Sequence, residues 1–246
     1  MFKLGLIGKN ISYSFSRDYF NNKFETEKIK NVSYENFDIE RIDSFPLLVQ
    51  NTENIKGFNV TIPYKETIIP YLDALDETAN KIGAVNTIKI TNEKKLIGYN
   101  TDFYGFKKSL KPLLKPHHKK ALILGTGGAS KAIAYSLKAL NIEFSYVSRV
   151  IKPNIDFDYF SLTEDIIQEH EIIINCTPVG TFPEVDKFPK IPYSGITKNH
   201  ILYDLIYNPT ETSFLKQGRL HNATIINGLK MLELQAEEAW SIWNLK

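Results

Sequence analysis

Six small residues, Gly125-Thr126-Gly127-Gly128-Ala129-Ser130, follow an apolar stretch from Ala121 to Leu124. They precede apolar residues at helical spacing, Ala129, Ile133, Leu137 and Leu140. Between a strand and a helix, such glycines have a chemical use. Gly125 can make a tight turn, Gly127 lets the backbone approach a pyrophosphate, and the free N–H groups of the helix N-terminus favour its charge. A plain strand-to-helix turn would read the same way, so the loop alone does not decide. The next apolar stretch, Phe144 to Val147, ends in Ser148-Arg149, with Lys152 close behind. Where a carboxylate would hold a free ribose hydroxyl, this chain offers a guanidinium suited to a 2′-phosphate, which selects NADP over NAD.

A second set of polar groups lies in the first hundred residues. Ser14-Phe15-Ser16 sets two hydroxyls on one side of a turn, able to hold a carboxylate. Asn59-Val60-Thr61-Ile62-Pro63-Tyr64-Lys65 ends a strand with alternating polar groups and a lysine, and Asn86-Thr87 and Asn100-Thr101-Asp102 repeat the theme. A small ligand rich in hydroxyls accounts for so many.

The elements that must position these groups follow from periodicity and punctuation. Strands are expected at Lys3 to Gly8, Ser33 to Phe37 and Gly57 to Thr61, with a hairpin formed by Ala84 to Ile90 and Leu96 to Tyr99. Helices are expected at Arg17 to Lys28, Phe45 to Asn51 and Asp73 to Lys81. From Ala121 a second series begins, with strands at Ala121 to Leu124, Phe144 to Val147, Ile172 to Asn175 and Ile201 to Leu205. Its helices follow the glycine loop and span Thr163 to Glu169. Such alternation predicts a parallel, doubly wound, Rossmann-like sheet behind an α/β layer with its own core. A closing helix runs from Gly228 to Leu245.

Composition narrows the classes. With 43% hydrophobic and 24% charged residues, 246 residues can bury two cores of ordinary domain size. A net charge of +2 argues against nucleic acid, and the lysines from Lys107 to Lys120 read as a solvated helix face and linker without interleaved aromatics. No apolar run reaches the roughly 18 residues of a membrane span, and Gly5 and Gly8 break the first one, so a cytoplasmic protein is expected. One cysteine, Cys176, and five scattered histidines give neither a disulfide nor a structural metal site, and no metal is expected.

Taken in order, eight blocks resemble the shikimate dehydrogenase family: the SxS turn, NVTxPxK, GAVNT, GxNTDxxG from Gly98 to Gly105, GTGGAS, NxTPxG from Asn175, DxxYxP from Asp204, and GxxMLxxQ from Gly228 to Gln235. The resemblance implies NADP-dependent, reversible reduction of 3-dehydroshikimate to shikimate, a step toward chorismate and the aromatic amino acids. It implies Ser14, Ser16 and Tyr207 on the substrate carboxylate, and Thr61, Asn86, Asp102 and Gln235 on its ring hydroxyls beside Lys65. Thr177, with its neighbours Asn175 to Pro178, would line the nicotinamide side, and Gly228 is expected on the cofactor side as well. The implied layout is a substrate-binding domain of residues 1–102 plus 228–246, to which the closing helix returns, and an NADP-binding domain of residues 103–227. A monomer or homodimer is expected, with no nucleic acid or membrane partner. The chain departs from the family's habit at Tyr13, Arg17, Ser148, Val150 and Thr181.

Hydride arriving at a ring ketone leaves charge on oxygen, so the site needs a proton donor and a positive charge there. Lys65 as an ammonium supplies both, and in the reverse direction its neutral amine must take the proton. Asp102 can accept from a substrate hydroxyl and hold the lysine, and it is equally placed to cap the helix that follows. Asn86 and Gln235 could instead satisfy buried backbone groups, while Ser14 and Ser16 could be turn residues. Cys176 reads as a small buried side chain. Two other functions share this pattern: a quinate/shikimate dehydrogenase using NAD, and an idle binding protein that keeps the fold.

Overall fold

The computed structural model describes residues 1–11, 14–150 and 153–244. The chain forms two compact units, one of residues 1–101 and 236–246, the other of residues 102–235.

In the first unit the order is β1 (Phe2–Gly8), α1 (Phe15–Thr26), β2 (Val32–Asp38), α2 (Phe45–Asn51), β3 (Ile55–Val60), β4 (Ala74–Leu75), α3 (Glu77–Ile82), β5 (Thr87–Ile90) and β6 (Leu96–Tyr99). The sheet runs β2-β1-β3-β5-β6-β4. β1 is parallel to β2 and β3, whereas β5 pairs antiparallel with β3 and β6 as the expected hairpin. Because side chains alternate along a strand, β1 feeds two cores. Ile7 joins Phe45, Phe58, Val60 and Ile88, while Leu4 and Leu6 join Phe20, Phe24, Tyr34 and Ala236.

Helix α3 begins later than its apolar pattern suggests. The Asp76 carboxylate accepts from Thr78 N and Ala79 N, which fixes the start at Glu77 and frees the preceding residues to pair as β4.

The second unit contains α4 (Asp102–Leu110), β7 (Lys120–Leu124), α5 (Gly128–Ala139), β8 (Glu143–Ser148), β9 (Phe157–Asp158), α6 (Glu164–Glu169), β10 (Ile172–Asn175), β11 (Ile201–Asp204), α7 (Ser213–Leu220), β12 (Thr224–Ile226) and the start of α8 (Leu229–Asn244). Its six strands are all parallel, ordered β12-β11-β10-β7-β8-β9. The chain therefore winds outward from β7 in both directions, so the strand order reverses between β7 and β10. Ala121 and Ile123 point to a core with Ile133 and Leu137 of α5, Phe106 of α4 and Met231 of α8; Leu122 and Leu124 point to another with Ile167 of α6 and Phe214 of α7.

The lysine-rich stretch begins on a helix face and continues into a linker. Lys107 and Lys108 close α4, where cations favour the helix dipole, and they sit 5.5 and 5.6 Å from the Phe103 and Tyr104 ring centres one turn earlier. His118 is buried, its Nδ1 accepting from Lys115 N and its Nε2 donating to Asn199 O, and burial pushes its pKa down. No helix among the described residues is long and apolar enough to cross a membrane.

The division falls inside α8 and not at residue 228. Met231 packs in the second unit's core, and Ala236 onward counts with the first. There Glu237 accepts from Tyr19 Oη at 2.5 Å and from Lys23 Nζ at 2.8 Å, while Trp243 Nε1 donates to Ile88 O at 3.0 Å. Gly57 admits that indole, since a Cβ there would lie 2.2 Å from Trp243 Nε1. The described part of α8 ends at Asn244, so Leu245 of the expected helix lies outside the described residues.

Candidate functional site

In the first unit the polar blocks form one hydrogen-bonded system. Ser14 caps α1, its hydroxyl accepting from Ser16 N at 3.2 Å, and the Ser16 side chain bonds the Tyr34 hydroxyl. Tyr34 Oη donates to Asn59 Oδ1 at 2.7 Å, and its burial drives the phenol far above its usual range. Asn59 Nδ2 donates to Thr87 Oγ1 and to the Asn86 carbonyl. Asn86 Oδ1 accepts from Thr101 N at 2.7 Å and from Thr87 Oγ1, and Asn86 Nδ2 donates to Thr101 Oγ1. Three strands and a helix start are thus held in register by side chains that are buried except for the half-exposed serines. Left unpaired, each such group would cost about 1–3 kcal/mol. Asn86 does satisfy a backbone group, as the plainer reading of its sequence allowed. Asn59, absent from the expected site residues, is the centre of the system.

Thr61 and Lys65 sit just past β3. Thr61 N donates to Ile7 O, Tyr64 N donates to Thr61 O, and Lys65 O accepts from Val85 N at 2.7 Å, so the lysine's backbone is fixed to the GAVNT block. Lys65 is half-buried between exposed Pro63 and Glu66.

Asp102 opens α4 and is 6% exposed. A carboxylate in a first helical turn is favoured by the helix dipole. Gln235, equally buried, donates from Nε2 to Leu232 O on its own helix. Tyr207 is half-buried in the turn after β11.

The glycine loop lies between β7 and α5, where the strand order reverses. Gly125 has φ +101, and a Cβ there would sit 2.9 Å from Thr177 Cγ2. Gly127 caps α5 without a side-chain bond, and a Cβ added to it would meet nothing within 4 Å. Open space before uncapped N–H groups suits a phosphate. Thr126 and Gly127 are exposed, Gly128 and Ala129 half-buried, and Ser130 turns inward to donate from Oγ to Gly127 O at 2.7 Å. Arg149 is exposed directly after β8, whereas Lys152 lies outside the described residues, as does Tyr13. The carboxylate nearest in register to the end of β8 is Asp158, paired with Ser148; its Oδ1 already accepts from Phe160 N and Ser161 N.

Thr177 belongs to a turn built on Asn175, whose Oδ1 accepts from Thr177 N at 3.1 Å and Thr177 Oγ1 at 2.7 Å. Gly228 has a backbone reason to be glycine, because a Cβ would lie 2.0 Å from Leu205 O. Burial pushes the Cys176 thiol up, which leaves it unsuited to nucleophilic work at neutral pH. Among the described residues no three His, Cys, Asp or Glu side chains gather as a metal site.

A parallel sheet wound outward from its centre, with a glycine turn at the reversal, defines the second unit as a Rossmann-like fold of the dinucleotide-binding class. Residues 6–88 match the family description of the shikimate dehydrogenase substrate binding domain. A Clostridium botulinum protein named shikimate dehydrogenase (NADP(+)) is 42% identical over 100% of this chain and 97% of its own. Among solved structures, shikimate dehydrogenase 1 of Peptoclostridium difficile is 38% identical with a TM-score of 0.84, covering 99% of this chain and 91% of that one. A Thermus thermophilus shikimate 5-dehydrogenase in complex with NADP(H) and shikimate is 27% identical with a TM-score of 0.87, over 99% and 94%. The chain belongs to the shikimate dehydrogenase family.

Proposed function

We propose that this protein is an NADP-dependent shikimate dehydrogenase that reversibly reduces 3-dehydroshikimate to shikimate. The observation that carries the reading is the full-length similarity to relatives bearing that name, with Lys65 and Asp102 both present in their motif blocks. NADPH supplies the hydride. Lys65 holds the proton that the carbonyl oxygen takes up and places positive charge where negative charge develops. Asp102 accepts from a neighbouring ring hydroxyl and orients the ring, together with Thr61, Asn86 and Gln235. Ser14, Ser16 and Tyr207 bind the carboxylate. On the cofactor side, residues 125–129 hold the pyrophosphate, Arg149 and Lys152 the 2′-phosphate, and Thr177 and Gly228 border the nicotinamide. The first unit with the returning part of α8 acts as the substrate domain, and the rest as the NADP domain. Ser14 also caps its helix and Asn86 also ties down Thr101; one hydroxyl or amide can serve both tasks, since each has further hydrogen-bonding capacity.

Steady-state rates with shikimate and with quinate, each against NADP+ and NAD+, test the reading. Shikimate with NADP+ is expected to be preferred. A preference for quinate with NAD+ would assign the related quinate reaction instead, and no shikimate-dependent reduction at high enzyme concentration would leave only a binding role.

A further inference from the structure

Asp204 is a carboxylate with no solvent exposure at the end of β11, and the chemistry above does not use it. Its partners come from three segments of the second unit. Oδ1 accepts from Asn175 Nδ2 at 3.0 Å and from Ile206 N at 3.1 Å, while Oδ2 accepts from Thr212 Oγ1 at 2.5 Å. Thr212 in turn caps α7 by accepting from Leu215 N.

An asparagine amide can face either way, and its neighbours decide which. A carboxylate can only accept, so Asp204 compels Asn175 to turn its NH2 toward β11 and its Oδ1 toward Thr177. That orientation lets Oδ1 receive both the N–H and the hydroxyl of Thr177, after which Thr177 Oγ1 accepts from Val179 N. The same carboxylate accepts from Ile206 N, next to Tyr207 in the turn after β11. The Thr177 N–H, which can only donate, agrees with that sense from the oxygen side, while on the NH2 side Asp204 Oδ1 at 3.0 Å is a closer and charged acceptor than Val179 O at 3.3 Å.

We infer that Asp204 is a positioning residue which, through Asn175, sets the turn of Thr177 against the nicotinamide end of the cofactor. The inference rests on the proposed NADP site. It separates two parts of cofactor binding: the Thr177 turn hangs on Asp204 through Asn175, whereas Arg149 directly follows β8 and residues 127–129 open α5; of the glycine loop, Gly125 lies against Thr177.

The test is the dissociation constants of NADP+ and of adenosine 2′,5′-bisphosphate, which lacks the nicotinamide, for wild type and Asp204→Asn, with far-UV circular dichroism to verify folding. Asp204→Asn is expected to weaken NADP+ on the order of ten-fold, the effect of disturbing one charge-assisted hydrogen bond, and to leave the bisphosphate within about two-fold. Unchanged NADP+ affinity, or equal weakening of both ligands, would overturn the inference. Should Asp204→Asn not fold, Thr212→Val removes one of the carboxylate's three donors, and a selective loss for NADP+ of about three-fold is expected by the same reasoning; no selectivity there counts against it equally. Wild type that binds NAD+ and not NADP+ would overturn the cofactor reading alone, and the same comparison with NAD+ and ADP then decides the role of Asp204.

Discussion

The buried Asp204 carboxylate also leaves a mark on stability. Loss of hydration outweighs the hydrogen bonds from Thr212, Ile206 and Asn175, so its pKa is pushed up from 3.8 to about 6. A group whose proton affinity is higher folded than unfolded stabilises the fold fully below its unfolded pKa, and that contribution disappears as pH rises through the folded value. The window is therefore 3.8 to about 6. Over the whole of it the linkage amounts to about 3 kcal/mol, at roughly 1.4 kcal/mol per ten-fold change in proton affinity. Between pH 7 and pH 4.5 about 2 kcal/mol of that should be realised. Other carboxylates titrate in the same range, so the quantity to read is a difference. Urea unfolding of wild type and Asp204→Asn, followed by far-UV circular dichroism at several pH values, should show wild type gaining on the variant by about 2 kcal/mol as pH falls from 7 to 4.5. A difference flat with pH, or one favouring the variant on acidification, would refute the reasoning. The carboxyl carbon of Asp204, followed by NMR, should titrate near 6 in the same series.

Gly57→Ala should destabilise the first unit by about 1–3 kcal/mol, because its methyl would sit 2.2 Å from Trp243 Nε1 and 2.6 Å from Ile88 O. Tryptophan emission, which comes only from Trp240 and Trp243, should shift as the indole is displaced; an unchanged spectrum and unchanged melting would contradict the packing described. Arg149→Ala should raise KM for NADP+ by about ten-fold while moving KM for NAD+ by less than about two-fold, the signature of a lost charge-assisted contact to a 2′-phosphate. Equal changes for both cofactors would show that Arg149 serves only the surface.

Most elements were legible as periodicity, but the exceptions have physical causes. The pattern from Ser213 to Leu220 hides a helix because Gly218 interrupts it, and that glycine is there so that α7 can lie close on β11: a Cβ would meet Leu202 Cδ2 at 2.7 Å. β12 is a three-residue edge strand, too short to carry an alternation. The candidate site was legible as blocks and not as connections. Asn59 and Asp204 stood in quoted motifs, yet their weight comes from partners such as Tyr34 and Asn175, which chain neighbours do not reveal. Glycines read as one class also divide by cause. Gly127 faces open space, as a ligand-facing residue should, whereas Gly105 and Gly228 admit the backbone carbonyls of Met231 and Leu205.

Turnover of Lys65→Ala with shikimate and NADP+ bears most directly on the chemistry proposed. General acid–base catalysis contributes about 10²- to 10⁴-fold, so the variant should lose turnover by that factor with KM for shikimate little changed. Turnover within about three-fold of wild type, where the proton-transfer contribution demands far more, would remove Lys65 from the reaction.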